Sequence, residues 1–168
     1  MKFTFACTEA KRNALRLLDL TYKEGLQPGD PKWDGTPATH CNEYLYEAAA
    51  LLGFDCYPLL NHKGIGWTNA NDMYRNAREK IVNDNMITHD ALSAQKAVNR
   101  GRFVAVLAYN IYDGPGHVAA VIANSGLFKD EDGPRIAQAG SENGGFWLNN
   151  IFKIKSLSAP IFVELERL

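Results

Sequence analysis

Phe103-Val104-Ala105-Val106-Leu107-Ala108-Tyr109 and Val118-Ala119-Ala120-Val121-Ile122 decide the fold of this chain. Each is a short apolar run bounded by turn residues, the pattern of a buried strand. Ile136 to Ala139 predicts a third strand and Ile161-Phe162-Val163-Glu164-Leu165 a closing one, with Phe146-Trp147-Leu148 and Phe152-Lys153-Ile154 as weaker candidates. Upstream the texture is helical. Asn69 to Asn83 and Asp90 to Asn99 read as helices, the second closed by Gly101, with a turn at Asn83-Asp84-Asn85 between them. Helices first and strands last imply an α+β fold, N-terminal helices packed on a mainly antiparallel sheet.

Further upstream, Thr8 to Glu24 predicts a first helix ended near Gly25, and Gln27-Pro28-Gly29-Asp30-Pro31 breaks the chain after it. From Cys41 onward Leu45, Ala48, Ala49 and Leu52 recur at helical spacing, with Glu43 and Glu47 on the other side and Gly53 as the stop. Thr39 is the expected N-cap, so Cys41 falls in the first helical turn and shares the buried face. Unpaired N–H groups and the helix dipole favour an anion there.

At 168 residues the chain fits one domain, 1–168, without repeat or linker. A net charge of -1 with 22% charged residues gives no electrostatic footprint for nucleic acid. No stretch approaches the roughly 18 consecutive apolar residues of a membrane span. The apolar run at Met1 to Cys7 is too short for an export signal, and the compartment stays open. The odd set Cys7, Cys41 and Cys56 suggests neither a disulfide framework nor a thiolate zinc site, and His40, His62, His89 and His117 carry no metal-binding spacing. No metal and no cofactor are expected.

Chemistry enters with Thr39-His40-Cys41-Asn42 and Gly116-His117. A thiol attacks carbonyls as thiolate, and a helix start plus an imidazole partner are standard means of producing one. Setting His117 directly opposite Gln138 in an antiparallel hairpin centres the connection between Leu127 and Phe128, in a segment rich in loop chemistry. Opposed residues share a face. Gln138 then orients the imidazole from the side away from Cys41, while Asn143 takes that place if the register shifts or bulges.

A cysteine at a helix start, a histidine opening a later strand and a polar residue on the next strand resemble the papain-like superfamily of NlpC and CHAP peptidoglycan hydrolases. The resemblance covers Thr39 to Gly53 and Gly116 to Asn143. It implies a papain-like fold and hydrolysis of amide bonds, in peptidoglycan or a peptide, through a thioacyl-enzyme on Cys41, with His117 as base then acid and Gln138 as third member. Trp33, His40, Asn42 and Asn143 are the expected substrate contacts. The chain departs from the Asp-Cys-Ser-Gly of NlpC enzymes in reading His40-Cys41-Asn42-Glu43, nearer the CHAP-like form, so amidase and endopeptidase both stay open.

The oxyanion of such a reaction needs donors: the Cys41 N–H is one, and Trp33, Thr36 or His40 supplies the second. Trp67, Tyr112 and Trp147 are candidates for lining a groove, although aromatics at such positions more often join a core. Plainer readings stand beside these. A lone cysteine on an apolar helix face is usually a small buried hydrophobe, which describes Cys7 and Cys56. His62 reads as an exposed loop residue, His89 as a helix cap, and Asp130-Glu131-Asp132 as a solvated hairpin tip. An acyltransferase on the same scaffold and a non-catalytic cell-wall binding module are the competing functions.

Overall fold

The computed structural model describes residues 41–168 except Ser125, Leu127 and residues 139–143. The expected first helix, the breaker after it, Thr39, Cys7, Trp33, His40 and Asn143 lie outside the described residues. The described part is α+β, with four α-helices and a six-stranded sheet whose strands all pair antiparallel.

Helix α1 is Cys41–Leu51 and α2 is Ala70–Val82. Strand β1 is Thr88–His89, and α3 is Ala91–Asn99. Then come β2 (Phe103–Ala108), β3 (His117–Val121), β4 (Arg135–Gln138), β5 (Gly144–Trp147), α4 (Leu148–Phe152) and β6 (Ile161–Leu165). The sheet order is β1-β6-β2-β3-β4-β5.

Local chemistry explains the helix ends. Gly53 takes φ +76, and the Phe54 N–H reaches back to the Ala49 carbonyl at 2.9 Å, a left-handed cap that ends α1. Asn69 and Asp72 cap α2 reciprocally, each side chain accepting from the other's backbone N–H. The Asp90 carboxylate accepts from Ser93 N at 2.7 Å and caps α3.

Every residue of β2 is buried, and since alternate residues face opposite ways, both faces of the sheet centre are covered. The continuous apolar run follows from that position. Helix α1 lies against β3 and β4, while α2 and α3 each meet β2 and β3. The buried apolar side chains of these elements form one cluster around Tyr44, Met73, Phe103, Leu107 and Ile136.

Three expectations are corrected. First, the β3–β4 ladder pairs Ala120 with Ala137 and Val121 with Ile136, two residues away from the register that sets His117 across from Gln138. Carried on one step, the ladder puts Ala119 opposite Gln138. Second, Phe152-Lys153-Ile154 is not a strand: Phe152 ends α4, and Leu148 and Phe152, one helical turn apart, are its buried residues. Third, His89 does not cap α3. It sits in β1, opposite Phe162 of β6, and its ring bridges Ser93 Oγ at 3.2 Å and Glu164 Oε2 at 2.8 Å. Glu164, 9% exposed, also takes Arg102 Nε at 2.6 Å. That hydrogen-bonded network, with the Arg102–Glu164 ion pair in it, holds the short edge strand to the sheet.

Candidate active site

Cys41, Tyr44, Leu45, Ala48 and Ala49 are the buried residues of α1, an i, i+3, i+4, i+7, i+8 stripe that α1 turns into the core. Cys41 is 1% exposed. Burial alone describes a packed thiol as well as a nucleophile, so its neighbour is what distinguishes it.

That neighbour is His117, the first residue of β3, held opposite Ala108 of β2. Cys41 is a hydrogen-bonding and charge partner of the His117 ring and raises its pKa. His117 Nε2 is hydrogen-bonded to Gln138 Oε1. An amide oxygen only accepts, so Nε2 carries the proton in this bond and Nδ1 is the nitrogen left for the sulfur. The Phe152 ring packs on the imidazole, centroids 5.1 Å apart at 48°.

The electrostatics of the pair follow. Burial is the largest influence on His117 and pulls its pKa down, but the hydrogen bond and charge of Cys41, followed by the Gln138 hydrogen bond, outweigh it and leave the pKa raised above the usual 6.5. Cys56 shows what the same burial does without a base. At 3% exposure, burial and then the Asp55 charge push its thiol up to about 12.

Gln138 reaches His117 although it is not directly opposite. A two-residue displacement keeps both on one face of the sheet, and the diagonal distance of roughly 7–8 Å between such positions is within reach of a long amide side chain. Gln138 is buried, at 2% exposure.

Beside His117 and Gln138 opens a cleft of about 420 Å³, lined among the described residues also by Asn110, Pro115, Gly116, Asn150, Ile151 and Ser156. Trp67, Tyr112 and Trp147 are not among the described lining residues. Trp67 and Tyr112 are exposed elsewhere, and Trp147 stacks under the Arg135 guanidinium at 4.9 Å. Asn42 donates from Nδ2 to the Thr68 carbonyl at 2.6 Å, a tie between α1 and the turn Ile65–Trp67 rather than a group directed at the cleft. Asn110 and Asn150 carry no periodic signal and went unmarked in the sequence; only their place after a strand and inside a short helix brings them to the cleft.

Among the described residues no three His, Cys, Asp or Glu side chains converge to hold a metal ion, and no helix is long and apolar enough to cross a membrane. Comparison with known proteins adds no relative: no family model matches the chain, nor does any curated protein or solved structure.

Proposed function

We propose that this protein is a cysteine-dependent amide hydrolase of papain-like type, acting on the peptide or sugar–peptide amides of bacterial peptidoglycan. The single observation that supports this reading most is the His117 ring held between the Cys41 sulfur and the Gln138 amide oxygen. A thiol that only packs has no need of an imidazole whose other nitrogen is already engaged. The uncharged polar groups of Asn110, Asn150 and Ser156 in the cleft suit a substrate rich in amides and hydroxyls. The choice of cell wall as substrate rests on the resemblance to NlpC and CHAP enzymes.

The chemistry runs through His117. Nδ1 takes the thiol proton, and the Cys41 thiolate attacks the carbonyl carbon, moving an electron pair onto the oxygen. The Cys41 N–H, in the first described turn of α1, donates to that oxyanion. Collapse expels the amine, which takes the proton from the imidazolium and leaves a thioester on Cys41. Water then attacks the thioester with His117 as base, releasing the acid and restoring the thiol. Gln138 accepts from Nε2–H throughout, which keeps Nδ1 aimed at the sulfur and stabilises the imidazolium.

Purified cell wall incubated with the protein tests this. New amino termini or released sugar-linked groups are expected with the native chain and none with a Cys41→Ala chain that still folds cooperatively. A native chain that releases nothing, or a Cys41→Ala chain that releases as much, contradicts the proposal.

A further inference from the structure

The loop from Tyr109 to Gly116, which leads into His117, is braced across its two halves by a side chain of α2. Its first half is tied down by backbone bonds: Ile111 N donates to Ser156 O at 2.8 Å, and Ser158 N to Tyr109 O at 2.7 Å. Its second half, Gly114 to Gly116, enters no such ladder among the described residues. Instead Asn71, in the first turn of α2, donates from Nδ2 to Gly114 O at 2.9 Å and accepts on Oδ1 from Asn110 N at 3.0 Å. One amide therefore joins the two halves of the loop. Asn110, 8% exposed, completes the brace by donating from its own Nδ2 to Pro115 O at 3.0 Å. The fit is close at Gly116, where a Cβ would stand 2.6 Å from Ala108 O and in contact with Asn71 Oδ1. Only a bare backbone passes between the helix and β2 just before His117.

We propose that Asn71 is a positioning residue for His117: it touches neither sulfur nor substrate, and it sets the backbone from which the imidazole reaches Cys41. This rests on the reading of Cys41 and His117 as nucleophile and base. Losing the amide strips partners from Asn110 N and Gly114 O, and the loop relaxes to recover them. A shift of about 1 Å in a catalytic group costs on the order of 100-fold in rate.

The rate of Cys41 carboxamidomethylation by iodoacetamide, followed by mass spectrometry across pH, reads the pair directly and needs no substrate. Asn76, on the same helix, is the control. It donates from Nδ2 to Leu59 O at 3.0 Å and to Asn61 Oδ1 at 3.3 Å, so Asn76→Ala also loses amide bonds of α2, but to residues outside the loop. Asn71→Ala is expected to slow Cys41 at least about tenfold and to move its pH profile, while Asn76→Ala keeps the native rate and profile. If Asn71→Ala matches the native chain, or slows no more than Asn76→Ala, the positioning role is overturned and the reading of the pair stands. If the native chain itself shows no acceleration that His117→Ala removes, the pair fails and the inference falls with it. Asn71→Asp keeps an acceptor for Asn110 N and sets a carboxylate oxygen against Gly114 O, at a helix start that favours negative charge. It serves if the alanine variant does not fold: a slowed Cys41 is expected, and a native rate overturns the role.

Discussion

At the scale of single residues, two thiols of nearly equal burial differ in what stands beside them. Cys56 has the Asp55 carboxylate for a neighbour, and its proton is held tightly. Cys41 has the His117 imidazole, whose charged form its hydrogen bond and charge favour. For His117 this predicts a reversal. With Cys41 in place its pKa lies above 6.5; in Cys41→Ala the sulfur hydrogen bond and charge are gone, burial prevails, and the pKa drops below 6.5. Proton NMR titration of the ring checks this, and a midpoint unmoved by the substitution contradicts it. The linkage has a fixed sign as well. A folded-state pKa above the unfolded one means that the stability contributed by His117 is complete below about pH 6.5 and is lost as pH rises through the raised value. Cys41 and His117 were legible in the sequence because a helix start and a Gly-His strand opening are local signals. Asn71 was not, since its two bonds go to residues that only the fold brings near.

At the scale of elements, β2 and β3 were plain as unbroken apolar runs, and the helical stretches Asn69 to Asn83 and Asp90 to Asn99 match α2 and α3 to within a residue at each end. The β3–β4 register came out two residues away because loop composition places a turn only approximately. What sets the actual register is a buried side chain. Gln95 of α3, 3% exposed, donates to Ile122 O at 2.8 Å and accepts from Arg135 N at 2.9 Å, pinning the end of β3 to the start of β4. Because the displacement is even, Gln138 kept its face and reached His117. Strand β1 has two residues and no periodicity to read. In Phe152-Lys153-Ile154 an apolar–polar–apolar triplet imitated a strand, whereas the controlling spacing was Leu148 to Phe152. The hairpin that carries His117 gives its own prediction. Gly116→Ala forces a Cβ against the Ala108 carbonyl, which is backbone and cannot swing away. A loss of about 1–3 kcal/mol in urea unfolding is expected, together with slower alkylation of Cys41; a variant with native stability and native Cys41 reactivity contradicts the tight passage at Gly116.

At the scale of the whole molecule, the sheet separates the short edge strand from the candidate site. On one side of β2 lie β6 and β1, fastened by Glu164 between His89 and Arg102. On the other lie β3 and β4, whose first and last residues present His117 and Gln138. Helix α1 brings Cys41 from a distant part of the chain onto that half, and α4 adds Phe152. The α+β frame is thus what makes one site out of three separated segments. Whether His117 makes a nucleophile of Cys41 is read from iodoacetamide alkylation of Cys41 and Cys56 in the native chain and in His117→Ala near neutral pH. Cys41 is expected to react at least about a hundred times faster than Cys56, whose thiol at about 12 yields almost no thiolate, and His117→Ala to remove most of the difference. Equal, slow modification of both thiols in the native chain, or a fast Cys41 indifferent to the loss of His117, would contradict this expectation.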